Sequence, residues 1–181
     1  MKMARRVTPK LALPLTALVV VPGLLLFYLR HHDTRWGFPF PTLFIPAGIG
    51  VLIFALGFLL FARCVRLFAE VGEGTLAPWD PPRKLVVVGP YQYVRNPMIS
   101  SVIVMLLGEA AGCGSCVLLG LAGFVFAVNT FYFFLSEEPA LERRFGEDYR
   151  RYKKNVRRWM PRRRPWAELA GGAGQKIPQA S

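Results

Sequence analysis

Two histidines and three cysteines are all that the 181-residue chain offers in imidazole and thiol ligands. His31-His32 has no third ligand nearby and reads as loop. Cys113-Gly-Ser-Cys116 has the C-x-x-C spacing. It lacks both a second pair for zinc and a thioredoxin-like βαβ setting, so it reads as two unpaired small residues in a tight turn. Cys64 reads as ordinary helix packing. No metal site follows from these residues. The chain also lacks a Ser/His/Asp arrangement, a P-loop, a strand-framed Rossmann glycine motif and any internal repeat of useful length. Acidic residues are scarce, 11 against 23 basic ones, for a net charge of +12. No recognisable nucleic-acid motif accompanies that excess. Attraction to anionic lipid headgroups, at about 1 kcal/mol per basic residue near the surface, explains it without nucleic acid as a partner.

Apolar residues are what the chain has in abundance, 53% of the total with fourteen Phe, and they argue for a membrane protein. Uncharged runs at 11–29 and 43–62 precede two further apolar segments, 97–111 and 117–135, joined by a short Gly-rich turn. At about 1.5 Å per residue the second run spans roughly 30 Å, the thickness of a bilayer core. The first run exceeds the ~7–15 residues usual in a signal peptide, and no small-x-small cleavage site follows it, so it reads as an anchor. The expectation is an all-α integral membrane protein, one domain over 1–181. It has about four transmembrane helices, a helical hairpin and a C-terminal interfacial amphipathic helix. Basic residues set its orientation. Lys2, Arg5, Arg6 and Lys10 precede the first helix; Arg63, Arg66, Arg83, Lys84 and Arg95 follow the second; twelve more follow the fourth. The positive-inside rule places both termini and the loop 63–96 in the cytoplasm.

Within that loop, Gly72-Glu-Gly74 and Pro78-Trp-Asp-Pro-Pro82 are turn residues, and Leu85-Val-Val-Val88 is a short β-branched run expected to lie extended. Asn96 suits a helix N-cap and Pro97 the first helical position. Beyond Glu138, Leu141, Phe145, Tyr149, Tyr152, Val156 and Trp159 form an apolar stripe at helical spacing over about 137–159, with Arg158 and most other cations facing elsewhere. Gly146 weakens that helix locally, and the tail 170–181 reads as disordered. Arg95 can grip a carboxylate through two parallel hydrogen bonds, or simply anchor a helix start. Tyr91 and Tyr93 stack on a purine or belong to an aromatic belt. Glu137 and Glu138, adjacent at the end of an apolar segment, cannot face the same way. Acidic groups at membrane depth are costly and often functional, while the plain alternative is a pair of solvated charges.

Three ordered stretches carry a resemblance. They are Gly89-Pro-Tyr-Gln-Tyr-Val-Arg-Asn-Pro-Met98, then Glu137-Glu-Pro-Ala-Leu-Glu-Arg-Arg-Phe-Gly-Glu-Asp-Tyr-Arg-Arg-Tyr152, then Val156-Arg-Arg-Trp-Met-Pro161. Together they resemble the isoprenylcysteine carboxyl methyltransferase family and, more distantly, the phospholipid N-methyltransferases. The resemblance implies an integral membrane methyltransferase that binds S-adenosylmethionine on the cytoplasmic side under a C-terminal helix. Carried over by position, Arg83, Lys84, Leu85 and Val86 line the cofactor, with Gly89 in the following turn. Tyr91 packs against it, and Arg95 flanks the cradle formed by Asn96, Pro97, Met98 and Ile99. Glu137 is the acidic contact with Glu138 beside it, and Glu137, Glu138 and Arg95 are the candidate catalytic residues. The chain departs from the eukaryotic pattern at Asn96 (His there), at Ile99 (often Tyr) and at Phe133, where an Arg attributed to substrate handling would stand.

Three functions follow. The first is S-adenosylmethionine-dependent methyl transfer to a membrane-embedded, lipid-like acceptor. The second is N-methylation of a phospholipid headgroup, which Phe133 suits because no carboxylate-binding Arg is needed. The third is a non-catalytic protein that binds anionic lipid or a partner through its basic C-terminal helix. Membrane lipids are the expected partners, and the oligomeric state is left open.

Overall fold

The computed structural model describes residues 21–29, 36, 44–71 and 84–166. The first part of the expected anchor, His31-His32, the turn residues of 72–82, Arg83 and the tail 170–181 lie outside the described residues. Among those described, the chain is all helical with no strand. Its elements are α1 (Val21–Leu29), α2 (Phe44–Val71), a 3-10 turn (Gly89–Gln92), α3 (Pro97–Cys113), α4 (Cys116–Tyr132), a π-helical segment (Phe133–Glu137) and α5 (Glu138–Asn155).

Helices α3 and α4 form a hairpin through only two residues. Gly114 closes α3 in the left-handed conformation (φ 60, ψ 37), donating its N–H to Ala110 and Ala111. Ser115 then caps α4, its hydroxyl accepting from Leu118 N at 3.2 Å. Cys113 and Cys116 flank this turn as free thiols.

Glycine brings α2 against α3. A Cβ added to Gly50 would stand 2.4 Å from Gly112 N, and one on Gly108 would stand 2.6 Å from Phe54 N. Two backbones this close gain dispersion contact, which is what drives helix association where no hydrophobic effect operates. Phe61, Val102, Met105, Leu106 and Ala122 form the core beside this crossing. Outward faces remain apolar: Ile45, Leu52 and Leu59 on α2 and Phe124 and Phe131 on α4 are all more than half exposed. Surface of that kind belongs against lipid.

Of the four expected spans, two are long and apolar enough to cross a membrane: Phe44–Leu67, and the continuous helix Cys116–Asn155 that joins α4 to α5. Pro97–Cys113 is apolar but shorter, and α1 is described only over nine residues. Pro139 accounts for the π-helical segment. It has no N–H to give to the carbonyl four residues back, so the helix widens and Glu138 N reaches Phe133 O instead. Gly146 breaks the regularity of α5 (φ 54, ψ −128). The helix stops at Asn155, four residues short of the expected 159, because Val156 is extended (φ −117, ψ 123).

Gly108→Ala is expected to lower the thermal unfolding temperature in detergent, since overpacking a fixed contact costs about 1–3 kcal/mol. Gly120→Ala, with nothing within 4 Å of the added carbon, is the matched control and should leave it unchanged.

Candidate functional site

Residues 84–96 run from the far end of α2 to the start of α3, and their side chains alternate between two clusters. Val86 and Tyr91 pack with Cys64 of α2, alongside Leu60, Val71 and Met98. Val87 turns the other way, into Tyr149, Tyr152, Val156 and Trp166, with Leu85, Leu141 and Phe145 beside them. Opposite facing of neighbours is the property of extended backbone, as the β-branched run predicts. Gly89 takes a positive φ of 58 to enter the 3-10 turn.

A strap, residues 156–166, then ties this loop down. Arg95 N donates to Arg157 O at 3.0 Å, Arg162 N to Tyr93 O at 2.9 Å, and Trp166 N to Gln92 O at 3.1 Å. The Tyr152 hydroxyl donates to Tyr91 O at 2.7 Å, and its ring stacks on Trp166 at 5.8 Å. The expected stripe therefore faces the loop from Leu141 to Val156. Trp159 leaves it and packs on Phe126 and Phe133, because the helix has already ended.

Glu138 is the focus of the charges. It is 4% exposed, and three cations from three segments hold it. Arg95 Nη1 lies 3.0 Å from Oε1. Arg158 puts Nε at 2.7 Å and Nη2 at 2.6 Å from the same oxygen. Lys153 Nζ lies 3.2 Å from Oε2. Arg95 thus offers its carboxylate one nitrogen, not two. It also donates to the Tyr149 hydroxyl at 3.5 Å, while its buried Nε has no partner. Arg158, expected to face away from the stripe, folds back with the strap and gives a further hydrogen bond to Thr130 O at 3.5 Å.

Glu137 behaves differently. It lies past the end of the apolar segment 117–135, on the polar side of it, is half-buried, and has no hydrogen-bond or ion-pair partner among the described residues. Burial, and then the charge of Glu138, push its carboxyl up to about 7. Its charge in turn reaches Tyr91 and Tyr149. Burial holds the Tyr149 hydroxyl up at about 12 and raises Tyr91 and Tyr152 as well. These phenols stay neutral, so the carboxylate of Glu137 is the better proton acceptor.

The remaining residues singled out in the sequence sit as follows. Val86, Tyr91 and Met98 share one cluster, and Pro97 is fully buried at the start of α3. Asn96 occupies the N-cap position without a side-chain hydrogen bond to the helix, so the first amides of α3 receive no acceptor from it. Leu85 lies with the aromatic cluster; Ile99 is half-buried and Lys84 exposed. Lys153, Arg158 and Trp166 were missed. Charge alone does not say which of twelve C-terminal cations turns inward; the pairing with Glu138 depends on where α5 ends.

A family model described as phospholipid methyltransferase matches residues 45–148. A Haemophilus influenzae protein, named only as an uncharacterized protein, is 41% identical over 64 residues, covering 35% of this chain and 100% of its own. No solved structure matches significantly. The family match contains Arg95, Glu137 and Glu138, while Lys153, Arg158 and the strap lie beyond it.

Breaking a buried pair costs about 3–5 kcal/mol and an exposed one about 0–1. Arg158→Ala is therefore expected to lower the unfolding temperature well beyond Arg150→Ala, whose pairs with Glu142 and Glu147 are exposed. A pH series gives a second test. With its folded pKa raised, Glu137 keeps a proton that the unfolded chain has already released, so its contribution is intact below the ordinary carboxylate range and lost as pH rises through about 7. Glu137→Gln should gain stability relative to wild type between pH 5 and pH 8.

Proposed function

The chain belongs to the phospholipid methyltransferase family, and from that premise we propose that it transfers a methyl group from S-adenosylmethionine to the amine of a phospholipid headgroup. The active site then faces the cytoplasm, in a multi-pass protein with both termini on that side, in keeping with the basic loops. One observation carries the choice of acceptor. Phe133, where the carboxyl methyltransferases place an Arg, is buried and packed against Tyr132 and Trp159, so no cation stands there to orient a carboxylate. The three motifs favour a second reading, carboxyl methylation of an isoprenylcysteine-like acceptor.

The residues present fit the cofactor. The uncapped amides at the start of α3 suit an anionic group, and the unpartnered carboxylate of Glu137 suits an amino or hydroxyl group. Arg95, Asn96, Pro97, Met98 and Ile99 form the cradle, Tyr91 and Val86 its apolar wall, and Gly89 with Lys84 and Leu85 the approach; Arg83 completes the expected set. When bound, the cofactor supplies an activated methyl group. The chain supplies position and a proton acceptor. A headgroup ammonium must lose a proton before its nitrogen attacks, and Glu137 can take it on the carboxylate oxygen that does not hold the cofactor, whereas Glu138 has both oxygens engaged. The strap and its aromatic cluster exclude water from the loop side, and alignment in such a site is worth several powers of ten in rate.

The test is S-adenosylmethionine binding to the full chain in lipid nanodiscs, with headgroup analysis of lipids from expressing cells. Saturable binding weakened about tenfold or more by Glu137→Gln, the size of one lost charge-assisted hydrogen bond, together with new mono- or dimethylated ethanolamine headgroups, is expected. Folded wild type that binds no cofactor would overturn the proposal. Binding without new headgroups would favour the carboxyl acceptor.

A further inference from the structure

Beside Glu138 lies a cleft of about 310 Å3 lined by Phe134, Pro139, Glu142, Arg143, Arg150 and Lys153. No residue of the loop 84–96 or of α3 lines it, so Glu138 is the wall it shares with the candidate site. Its carboxylates are already taken. Glu138 gives Oε1 to Arg95 and Arg158 and Oε2 to Lys153. Glu142 gives Oε1 to Arg150 at 2.8 Å and faces Lys153 with Oε2 at 3.8 Å. Two of its three cations, Arg150 and Lys153, are the partners of these carboxylates and of Glu147 but keep part of their side chains open to solvent; the third is not engaged. Arg143 is exposed and has no carboxylate partner among the described residues, and the side chains of Arg150 and Lys153 stay 58% and 41% exposed. In the connected network four cations, Arg95, Arg150, Lys153 and Arg158, face three acids, Glu138, Glu142 and Glu147, and the unpaired Arg143 adds a further positive charge at the cleft. Such a cleft offers N–H groups and net positive charge, which is the chemistry of an anion site.

Phe134 adds a second requirement. It is 63% exposed beside Leu135 at 70%, the last apolar residues before the acidic pair. A ligand that fills the cleft meets cations with one end and a lipid-facing aromatic with the other.

We propose that this cleft binds the phosphate group of a phospholipid, with Arg143 as the cation that no carboxylate among the described residues engages. The inference deepens the methyl-transfer reading and rests on it only for whether the bound phosphate belongs to the acceptor or to a neighbouring bilayer lipid. Inorganic phosphate shares the charge but gains nothing from Phe134.

The experiment uses the full chain in dodecyl maltoside, a phosphate-free detergent. It measures binding of pyrene-labelled phosphatidylglycerol, phosphatidylethanolamine and diacylglycerol. Both phospholipids should bind more tightly than diacylglycerol. Arg143→Gln should weaken each about fivefold, the factor expected for one basic residue at a lipid surface, and R143Q/R150Q should weaken them further. R163Q/R164Q, which removes two exposed strap cations, should leave binding unchanged. The proposal falls if diacylglycerol binds equally well, if R163Q/R164Q loses as much as R143Q/R150Q, or if equimolar inorganic phosphate displaces the lipid. A raised KM for phosphatidylethanolamine at unchanged kcat in Arg143→Gln supports the acceptor's phosphate. Weakened binding at unchanged KM supports a neighbouring lipid. Absence of methylation by wild type with lipid binding intact would overturn the methyl-transfer reading and leave the cleft standing.

Discussion

The polar end of this molecule is organised by a single buried carboxylate. Glu138 is almost without solvent, and an unpaired charge in that position would cost several kcal/mol. Its partners come from the loop before α3, from the last turns of α5 and from the strap beyond it. Satisfying one side chain therefore closes the chain on itself. Once the strap has returned to meet Glu138, its backbone can pair with Gln92, Tyr93 and Arg95, and the aromatic face of α5 has a loop to cover.

That closure needs a fixed loop, which the glycine crossing between α2 and α3 supplies. The backbones of α2 and α3 touch, and at the loop end of the pair Tyr91 and Met98 pack with Cys64 and Val86. The π-helical segment aims the other half of the site. Pro139 removes one helical hydrogen bond, the helix widens, and the two adjacent acids take different surroundings. Glu138 goes into the ion network, and Glu137 finds no partner among the described residues and has a raised proton affinity. Two identical side chains thereby acquire different surroundings, one held among three cations and the other half-buried with its proton held more tightly.

The family match ends at residue 148, inside α5. It takes in the loop, the start of α3 and the acidic pair, but not Lys153, Arg158 or Trp166. The region that carries the family likeness is thus 45–148, while the residues that lock the strap lie in the continuation of the chain. The cleft beside Glu138 lies at that boundary, with Phe134 and Arg143 inside the match and Arg150 and Lys153 outside it.

The sequence by itself determined the helical class, the apolar runs and the short turn between 97–111 and 117–135, and it singled out Arg95 and the acidic pair as candidates. Those features are local: charge-free length, turn chemistry and residue spacing act within a few residues of each other. It also marked Gly146 as a weak point in α5, since glycine carries the same conformational freedom wherever it stands. Where α5 ends, which acid is buried and which of the twelve C-terminal cations turns inward were decided only by the tertiary structure. The physical reason is that a buried charge is satisfied by whatever the fold brings within about 3 Å. That depends on an extended Val156 and a returning strap, contacts between segments twenty to sixty residues apart.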